Sequence, residues 1–290
     1  MNKRKISRLC FGCEALGGTD WGKFSLTDVE DAILESLDLG VNFFDTAAVY
    51  GLGLSEIKLS DVLGDKRHDL YIATKGGLQW ENPPIGKRAK IVKDSSASSI
   101  KSGVKNSLRR LKLDIIPIYY VHWPDPNIPF EETFEILNKL KERELIGGIG
   151  CSNFTCSQVE KVLKISDIEY LQIPVNIFNT KILDSFLPLC SKNQISIVAY
   201  NVLANGLLTG KFHCNSFFPH NDRRSRLDDF KGSLFKDNLN RVKQIRRLAD
   251  REGQSLAQYS INWVLSKDLV SSAITGIKNV NQLRENASLL

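Results

Sequence analysis

Residues 100–122 read Ile100-Lys-Ser-Gly-Val104-Lys-Asn-Ser-Leu108-Arg-Arg-Leu111-Lys-Leu-Asp-Ile115-Ile-Pro-Ile-Tyr-Tyr-Val121-His122. Two periods meet in this stretch. Ile100, Val104, Leu108 and Leu111 recur at i, i+4, i+8 and i+11, the stripe of an amphipathic helix. The run Ile115–Val121 is then apolar throughout instead of alternating, despite its proline. That is expected of a strand covered on both faces in a parallel sheet. The strand ends on a histidine.

The same alternation extends outward in both directions. Candidate strands lie at Arg8–Gly12, Asn42–Asp45, Leu70–Thr74, Ile116–Val121, Gly147–Cys151, Tyr170–Ile173, Ser196–Tyr200 and Ser272–Ile274. Helical stripes fall between them. Val29, Ile33, Leu37 and Leu39 follow Thr27 and Asp28 as start signals, and Phe134, Leu137 and Leu140 form another stripe. Ser255-Leu-Ala-Gln258 has the form of a capping box ahead of Tyr259–Leu265. Strand then helix, repeated eight times, predicts an α/β chain folded as one closed (β/α)8 TIM barrel over residues 1–290. Such barrels carry their chemistry on the loops after the strands' C-terminal ends. Two of those loops, Gly76–Asp94 and Leu203–Ser233, are long, and long ordered loops are usually functional.

Composition excludes several classes. Of 290 residues, 42% are hydrophobic and 25% charged, ordinary for a globular chain and unlike a disordered or collagenous one. A chain of this length buries a large core without staples. Its apolar runs fall far short of the ~20 residues a membrane span needs. The opening MNKRKISRLC lacks the apolar segment of a secretory signal. Six scattered cysteines then read as reduced thiols of a cytoplasmic protein. The net charge of +6 suits an anionic small ligand as well as a nucleic acid.

The common nucleotide signatures fail. Gly148-Ile-Gly150-Cys-Ser-Asn153 and Gly51-Leu-Gly53-Leu-Ser-Glu56 lack the third glycine of G-x-G-x-x-G. The stretch Gly12–Thr19 imitates a phosphate loop but has Gly18 where the lysine must be. Cys10-Phe-Gly-Cys13 has redox or zinc spacing. A four-thiolate site needs a second pair, and a thioredoxin-type pair opens a helix, whereas this one sits in a predicted strand. Two core cysteines are the plainer reading, and no metal is expected.

The strand ends carry the chemistry. Asn42-Phe-Phe-Asp45 ends on an acid with Tyr50 in the next loop, Tyr71-Ile-Ala-Thr-Lys75 ends on a lysine, and Tyr119-Tyr-Val-His122 ends on a histidine. Singly, a buried Asp–Lys pair is often structural, and a lone histidine is often a core residue. At neighbouring strand ends, all four point into one bowl. A lysine ammonium against the phenol of Tyr50 favours phenolate and makes the tyrosine a better proton donor near neutrality. Asp45 pairs with Lys75 and fixes it, and His122 hydrogen-bonds a substrate carbonyl oxygen.

At these residues the sequence resembles the aldo-keto reductase superfamily. Asp45, Tyr50, Lys75 and His122 match its catalytic tetrad, and Gly40–Gly51 with Ser55-Glu56 and Leu63-Gly64 matches its most specific signature. The likeness continues through Ser107–Leu111, Gly148–Phe154, Tyr200–Lys211 and Ala273–Asn286. It implies a barrel that reduces an aldehyde or ketone with NADPH. It further implies that Ser152, Asn153 and Gln172 bind the nicotinamide carboxamide and that Tyr200 stacks on the ring. Leu203, Gly206 and Leu208 would lie along the pyrophosphate with Lys211 as counter-charge. Gly276 would be cofactor-binding as well, Lys278 and Gln282 would meet the adenosine 2′-phosphate, Glu285 the ribose or adenine, and Asn286 the adenine.

The chain departs from the family pattern at Gln172-Ile-Pro-Val-Asn176 and at Tyr200-Asn-Val-Leu203. The clusters Lys87-Arg88-Ala-Lys90 and Arg223-Arg224-Ser-Arg226 are separated and mixed with acids, which fits nucleic acid poorly. They read as solvated loops or as a clamp on a dinucleotide or anionic substrate, the roles of Arg223, Arg224 and Arg226 staying open. Trp21, Trp80 and Trp123 wall the substrate pocket or simply pack. The expectation is an NADPH-dependent carbonyl reductase acting on a small molecule, a sugar or other polar carbonyl among the candidates, with an oligomer left open. Two alternatives remain: a sugar or polyol dehydrogenase working in the oxidative direction, and a cofactor-sensing regulatory subunit with little turnover.

Overall fold

The computed structural model describes residues 5–81 and 89–288. The first half of the chain runs β1 (Leu9–Gly12), α1 (Leu26–Asp38), β2 (Phe43–Asp45), α2 (Leu54–Leu63), β3 (Tyr71–Gly76), β4 (Leu78–Trp80), β5 (Ile91–Lys93), α3 (Ala97–Leu111), β6 (Ile116–Val121) and α4 (Phe130–Glu142). The second half runs β7 (Ile146–Ser152), α5 (Cys156–Val162), β8 (Tyr170–Pro174), α6 (Lys181–Asn193), β9 (Ser196–Tyr200), α7 (Gly232–Arg251), α8 (Leu256–Leu265), β10 (Val270–Gly276) and α9 (Val280–Ala287). All but β4 and β5 of these strands pair in parallel and close into a barrel, in the order β1-β10-β9-β8-β7-β6-β3-β2. The predicted (β/α)8 barrel is therefore the observed one.

The strands are apolar throughout because both of their faces are covered. Leu9, Phe11, Phe44, Ile72, Tyr119 and Val121 point outward into the core shared with the helices. Their alternates Cys10, Phe43, Ala73, Ile118, Tyr120 and Val198 fill the barrel interior. Phe44 stacks on Phe11 with centroids 5.9 Å apart, and truncating such a buried ring to alanine costs about 3–5 kcal/mol. The same period of two carries polar side chains inward at the barrel's upper rim. Asp45 follows Phe43, Lys75 follows Ala73, and His122 follows Tyr120.

Several boundaries differ from the expectation. Helix α1 starts at Leu26, because the Ser25 side chain accepts from the Asp28 N–H as its cap. Leu39 lies beyond the helix and is exposed, so the stripe is Val29, Ile33 and the half-buried Leu37. Strand β3 runs on through Gly76, so Lys75 sits within the strand. The box Ser255/Gln258 caps α8 as expected, and Thr155/Gln158 forms a second one on α5. Of the loop 76–94, the flanks pair as the antiparallel ribbon β4–β5, while Lys87 and Arg88 of the first basic cluster lie outside the described residues.

The loop after β9 builds a core of its own. Leu207, Leu208, Phe230, Phe235, Val242 and Ile245 pack together, with Phe212 and Phe218 against them. Helix α7, an insertion without a strand before it, supplies Phe235, Val242 and Ile245 of that cluster. Cys10 and Cys13, both free thiols, belong to different clusters: Cys10 faces the barrel interior and Cys13 the outer core. Burial pushes both thiols well up, which suits inert core cysteines rather than a redox pair.

Candidate active site

Lys75 is 1% exposed, and burying an ammonium is costly unless it is fully paired. Its Nζ donates to Asp45 Oδ2 at 2.6 Å, to the Thr46 carbonyl at 2.8 Å and to Tyr50 Oη at 3.4 Å. The second Asp45 oxygen accepts from Gln172 Nε2 at 2.8 Å. Three strands and a loop thus converge on one ion pair.

Tyr50 reaches it through a tight turn. Gly51 has φ +58°, and a Cβ there would stand 2.4 Å from the Gly17 carbonyl oxygen. Two glycines back to back let the turn after β1 press against the loop that carries Tyr50. The Tyr50 ring meets His122 edge-on at 6.0 Å. His122 is held by its backbone N–H, which donates to the Gly76 carbonyl at 2.9 Å.

Burial lowers the proton affinity of His122 well below the usual imidazole range, and Lys75 adds to this. At neutral pH the ring is uncharged and keeps one N–H to donate. Tyr50 corrects the sequence reading. Its phenol is pushed well up rather than toward phenolate, first by burial and then by the carboxylates of Asp45 and Glu14, with Arg223 opposing. The ammonium that was to favour phenolate is bonded more closely to Asp45 and Thr46. The phenol therefore holds its proton firmly, as an acid waiting for a strongly basic acceptor.

From Asp45 a hydrogen-bond chain crosses the floor of the bowl. Gln172 Oε1 accepts from Ser152 Oγ at 3.5 Å, Asn153 Nδ2 donates to Ser152 Oγ at 3.0 Å and to the His122 carbonyl at 2.9 Å, and Tyr200 Oη donates to Asn153 Oδ1 at 2.6 Å. Asn153 adopts φ +63°, a left-handed conformation that asparagine tolerates. Burial pushes the Tyr200 phenol up to about 12, with Arg223 pulling the other way.

These residues open onto a cavity of about 590 Å³. Asp45, Tyr50, His122, Ser152, Asn153, Gln172 and Tyr200 line it, and so do Leu203, Gly206, Lys211, Gly276, Lys278, Gln282, Glu285 and Asn286. Lys75 stands behind the wall. Leu208 is placed elsewhere: its side chain is fully buried in the cluster of the β9 loop, and its N–H is bonded to the Leu203 carbonyl. Trp21 and Trp123 line the cavity, and Trp80 lies in the ribbon outside it.

A second cleft of about 640 Å³ adjoins the first and shares Trp21, Lys211, Arg224, Lys278 and Gln282 with it. Four cations (Lys23, Lys211, Arg224, Lys278) line it against two acids (Asp28, Asp222). Arg224 is 6% exposed, paired with Asp222 at 2.5 Å, and its guanidinium lies over Trp21, Phe212 and Phe218. Burial would raise the Asp222 carboxyl, but the Arg224 hydrogen bonds outweigh it and hold it low. Lys278 Nζ donates to the Trp21 carbonyl at 2.7 Å. Burial, then Arg224 and Lys211, lowers the Lys278 ammonium to about 8, and burial and Arg224 likewise lower Lys211. Cations that depress one another are short of anions. The other two loop arginines are latches: Arg223 meets Glu14 at 3.2 Å, and Arg226 meets Asp20 at 2.6 Å.

This donor set fits NADP(H). The wall offers an aromatic ring, amide and hydroxyl groups and a surplus of cations. A Cβ added at Gly276 would meet nothing within 4 Å, so that glycine leaves room along the cavity wall. Among the described residues no group of His, Cys, Asp and Glu is placed to hold a metal ion, and no helix is long and apolar enough to cross a membrane. Glu14 escaped the sequence reading. It lies two residues past β1, in a stretch that reads as a cysteine pair, and its partner Arg223 is distant in the chain.

Comparisons with known proteins bear on the family and the fold. The family described as Aldo/keto reductase family matches residues 8–290. The aldo-keto reductase YhdN of Bacillus subtilis (strain 168) is 35% identical over 96% of this chain and 83% of its own length. An NADH-specific methylglyoxal reductase of Escherichia coli (strain K12) is 30% identical over 98% of this chain and 90% of its own. The solved glycerol dehydrogenase of Gluconobacter oxydans superposes with a TM-score of 0.90 at 32% identity, covering 99% of this chain and 88% of that one. On the tetrad geometry, the closed barrel and a family match over nearly its whole length, the chain belongs to the aldo/keto reductase family of oxidoreductases.

Proposed function

We propose that this protein reduces an aldehyde or ketone to the alcohol with NADPH, and that residues 1–290 act as one catalytic unit. The observation that carries this reading is Lys75 Nζ, shared between Asp45 at 2.6 Å and Tyr50 Oη at 3.4 Å at the mouth of the barrel. NADPH, when bound, supplies the hydride. Tyr50 Oη gives its proton to the substrate oxygen as negative charge develops there. Neutral His122 donates an N–H to the same oxygen and orients it. Asp45 holds Lys75, and Lys75 stabilises the phenolate that the transfer leaves behind.

Ser152, Asn153, Gln172 and Tyr200 would hold the nicotinamide end. Leu203, Gly206 and Lys211 would follow the pyrophosphate. Gly276, Lys278, Gln282 and Arg224 would meet the 2′-phosphate end, and Glu285 and Asn286 the ribose and adenine. Leu208 has no part in this scheme, its side chain being buried away from the cavity. The excess of cations in the second cleft favours the phosphorylated cofactor.

Fluorescence titration with NADPH and with NADH, followed by turnover on a carbonyl panel, tests the reading. Saturable binding with NADPH preferred at least ~10-fold, one charge-assisted contact, together with turnover, supports it. Failure to bind either dinucleotide refutes it. A second reading, oxidation of a polyol, is favoured by the likeness to a glycerol dehydrogenase. Tyr50 serves both directions, as acid in reduction and as base in oxidation. Initial rates in both directions at one pH separate the two.

A further inference from the structure

Glu14 and Arg223 have no task in that scheme, yet both face the same cavity as Tyr50 and His122. Glu14 projects from the 3-10 turn after β1 (Cys13–Gly17), and Arg223 opens the 3-10 turn Arg223–Arg226 of the β9 loop. Arg223 Nη1 lies 3.2 and 3.5 Å from the two carboxylate oxygens. The guanidinium therefore meets Glu14 through one nitrogen, and its other donors are not spent on that acid. Burial pushes the Glu14 carboxyl up, Arg223 and the Trp21 side chain oppose that, and the Trp21 ring lies 5.3 Å from the Arg223 guanidinium. The pair is fixed in place, since the Arg223 N–H donates to the Asp20 carbonyl at 2.8 Å and Asp20 also holds Arg226. Glu14 lines the same cavity as Tyr50, and its carboxylate adds to burial and Asp45 in raising the Tyr50 phenol.

Charge balance says what this pair recognises. Around the reacting centre Asp45 is matched by Lys75 and Glu14 by Arg223, while His122 is neutral. A substrate carboxylate or phosphate would find Arg223 already neutralised, and an ammonium would find Glu14 the same. A hydroxyl both donates and accepts, so it satisfies the carboxylate and the guanidinium together. We propose that Glu14 and Arg223 are the substrate's polar subsite. They select small neutral carbonyl compounds with hydroxyl groups on the carbons beside the carbonyl, Glu14 accepting from those hydroxyls and Arg223 donating to them. This rests on the carbonyl-reduction reading of the cavity. A site built to bond a hydroxyl rejects the analogue without it, because its own polar groups are then left unpaired.

The test uses the full chain, NADPH and a ladder of three-carbon aldehydes: propanal, lactaldehyde and glyceraldehyde. The unmodified protein should climb the ladder, with kcat/KM for glyceraldehyde at least ~10-fold above that for propanal, one charge-assisted hydrogen bond. Glu14→Ala should lower that ratio by a similar factor. Glu14→Gln, whose amide oxygen still accepts, should keep part of it. NADPH binding is titrated in each variant, and the ladder on the unmodified protein needs no variant to fold. A flat ladder, or a ratio unmoved in Glu14→Ala, overturns the subsite while NADPH binding and propanal reduction leave the carbonyl reading standing. A preference for succinic semialdehyde or glyceraldehyde 3-phosphate over glyceraldehyde also overturns the subsite. NADPH binding without reduction of any aldehyde overturns the carbonyl reading and the subsite with it.

Discussion

Tyr50→Phe isolates the proton from everything else the tyrosine does. Among the described residues the hydroxyl has one hydrogen-bond partner, Lys75 Nζ at 3.4 Å, at the long limit of such a bond. Lys75 keeps Asp45 at 2.6 Å and the Thr46 carbonyl at 2.8 Å without it. The phenylalanine ring keeps the edge contact with His122 and stays under the Lys75 ammonium, which lies 4.9 Å from the ring centre. Loss of so long a bond should cost the fold under ~1 kcal/mol. The chemistry loses a positioned acid, worth about 10²–10⁴ in rate, or about 2.7–5.4 kcal/mol at 1.36 kcal/mol per tenfold. The assay is kcat/KM for a reducible aldehyde at saturating NADPH, with the NADPH Kd and the melting temperature measured alongside. A rate loss of at least ~100-fold, with an NADPH Kd within about threefold of the parent's, is expected. Turnover within tenfold of the parent, on a folded variant that binds NADPH, would mean that another group is the acid.

Other perturbations probe the parts around that proton. Lys278→Met should weaken NADPH binding by ~10-fold or more and leave NADH binding nearly unchanged, which parallel titrations would show. The Lys278 ammonium of the free protein titrates at about 8, so NADPH affinity should be constant below that pH and fall as pH rises through it. NADH affinity should show no such step. Asp45→Asn strands the Lys75 ammonium without its counter-charge, and should lower unfolding free energy by about 3–5 kcal/mol in denaturant titration. Because burial pushes the Tyr50 phenol up, the rate of reduction should stay flat through neutral pH and decline only above the usual tyrosine value of ~10.

The barrel and the tetrad were legible for one physical reason. A parallel strand covered on both faces must be apolar throughout, so the first polar inward residue marks where the strand leaves the core. Asp45, Lys75 and His122 are those residues on adjacent strands β2, β3 and β6. What escaped lacked such a contrast. The ribbon strands β4 and β5 are half-buried and exposed respectively, and carry no buried stripe to read. Helix α7 buries Phe235, Asn238, Val242, Ile245 and Ala249 at helical spacing, but no strand precedes it. Leu208 looks like any leucine of its loop, and only the cluster formed with α7 shows that it turns inward. The direction of the Tyr50 shift comes first from burial and then from Asp45, with Glu14, a carboxylate brought in from the turn after another strand, adding to it; only the tertiary structure shows that burial.

The distribution of charge then divides the labour of the site. Near Tyr50 each buried or half-buried acid has its own cation, so the reacting end presents a polar but balanced surface. At the far end Lys211, Arg224 and Lys278 crowd together, with Asp222 committed to Arg224. An anion there relieves a repulsion that the fold itself creates, one that adds to burial in lowering the Lys278 ammonium. The proposed scheme thus assigns cofactor affinity and substrate choice to different residues at opposite ends of one cavity. Substitution of Lys278 should change which dinucleotide binds without changing the order of the aldehyde ladder. Substitution of Glu14 should reorder the ladder without changing which dinucleotide binds. A single substitution that moved both would mean that the two ends are mechanically linked, through the Lys278–Trp21–Glu14 contacts that run between them.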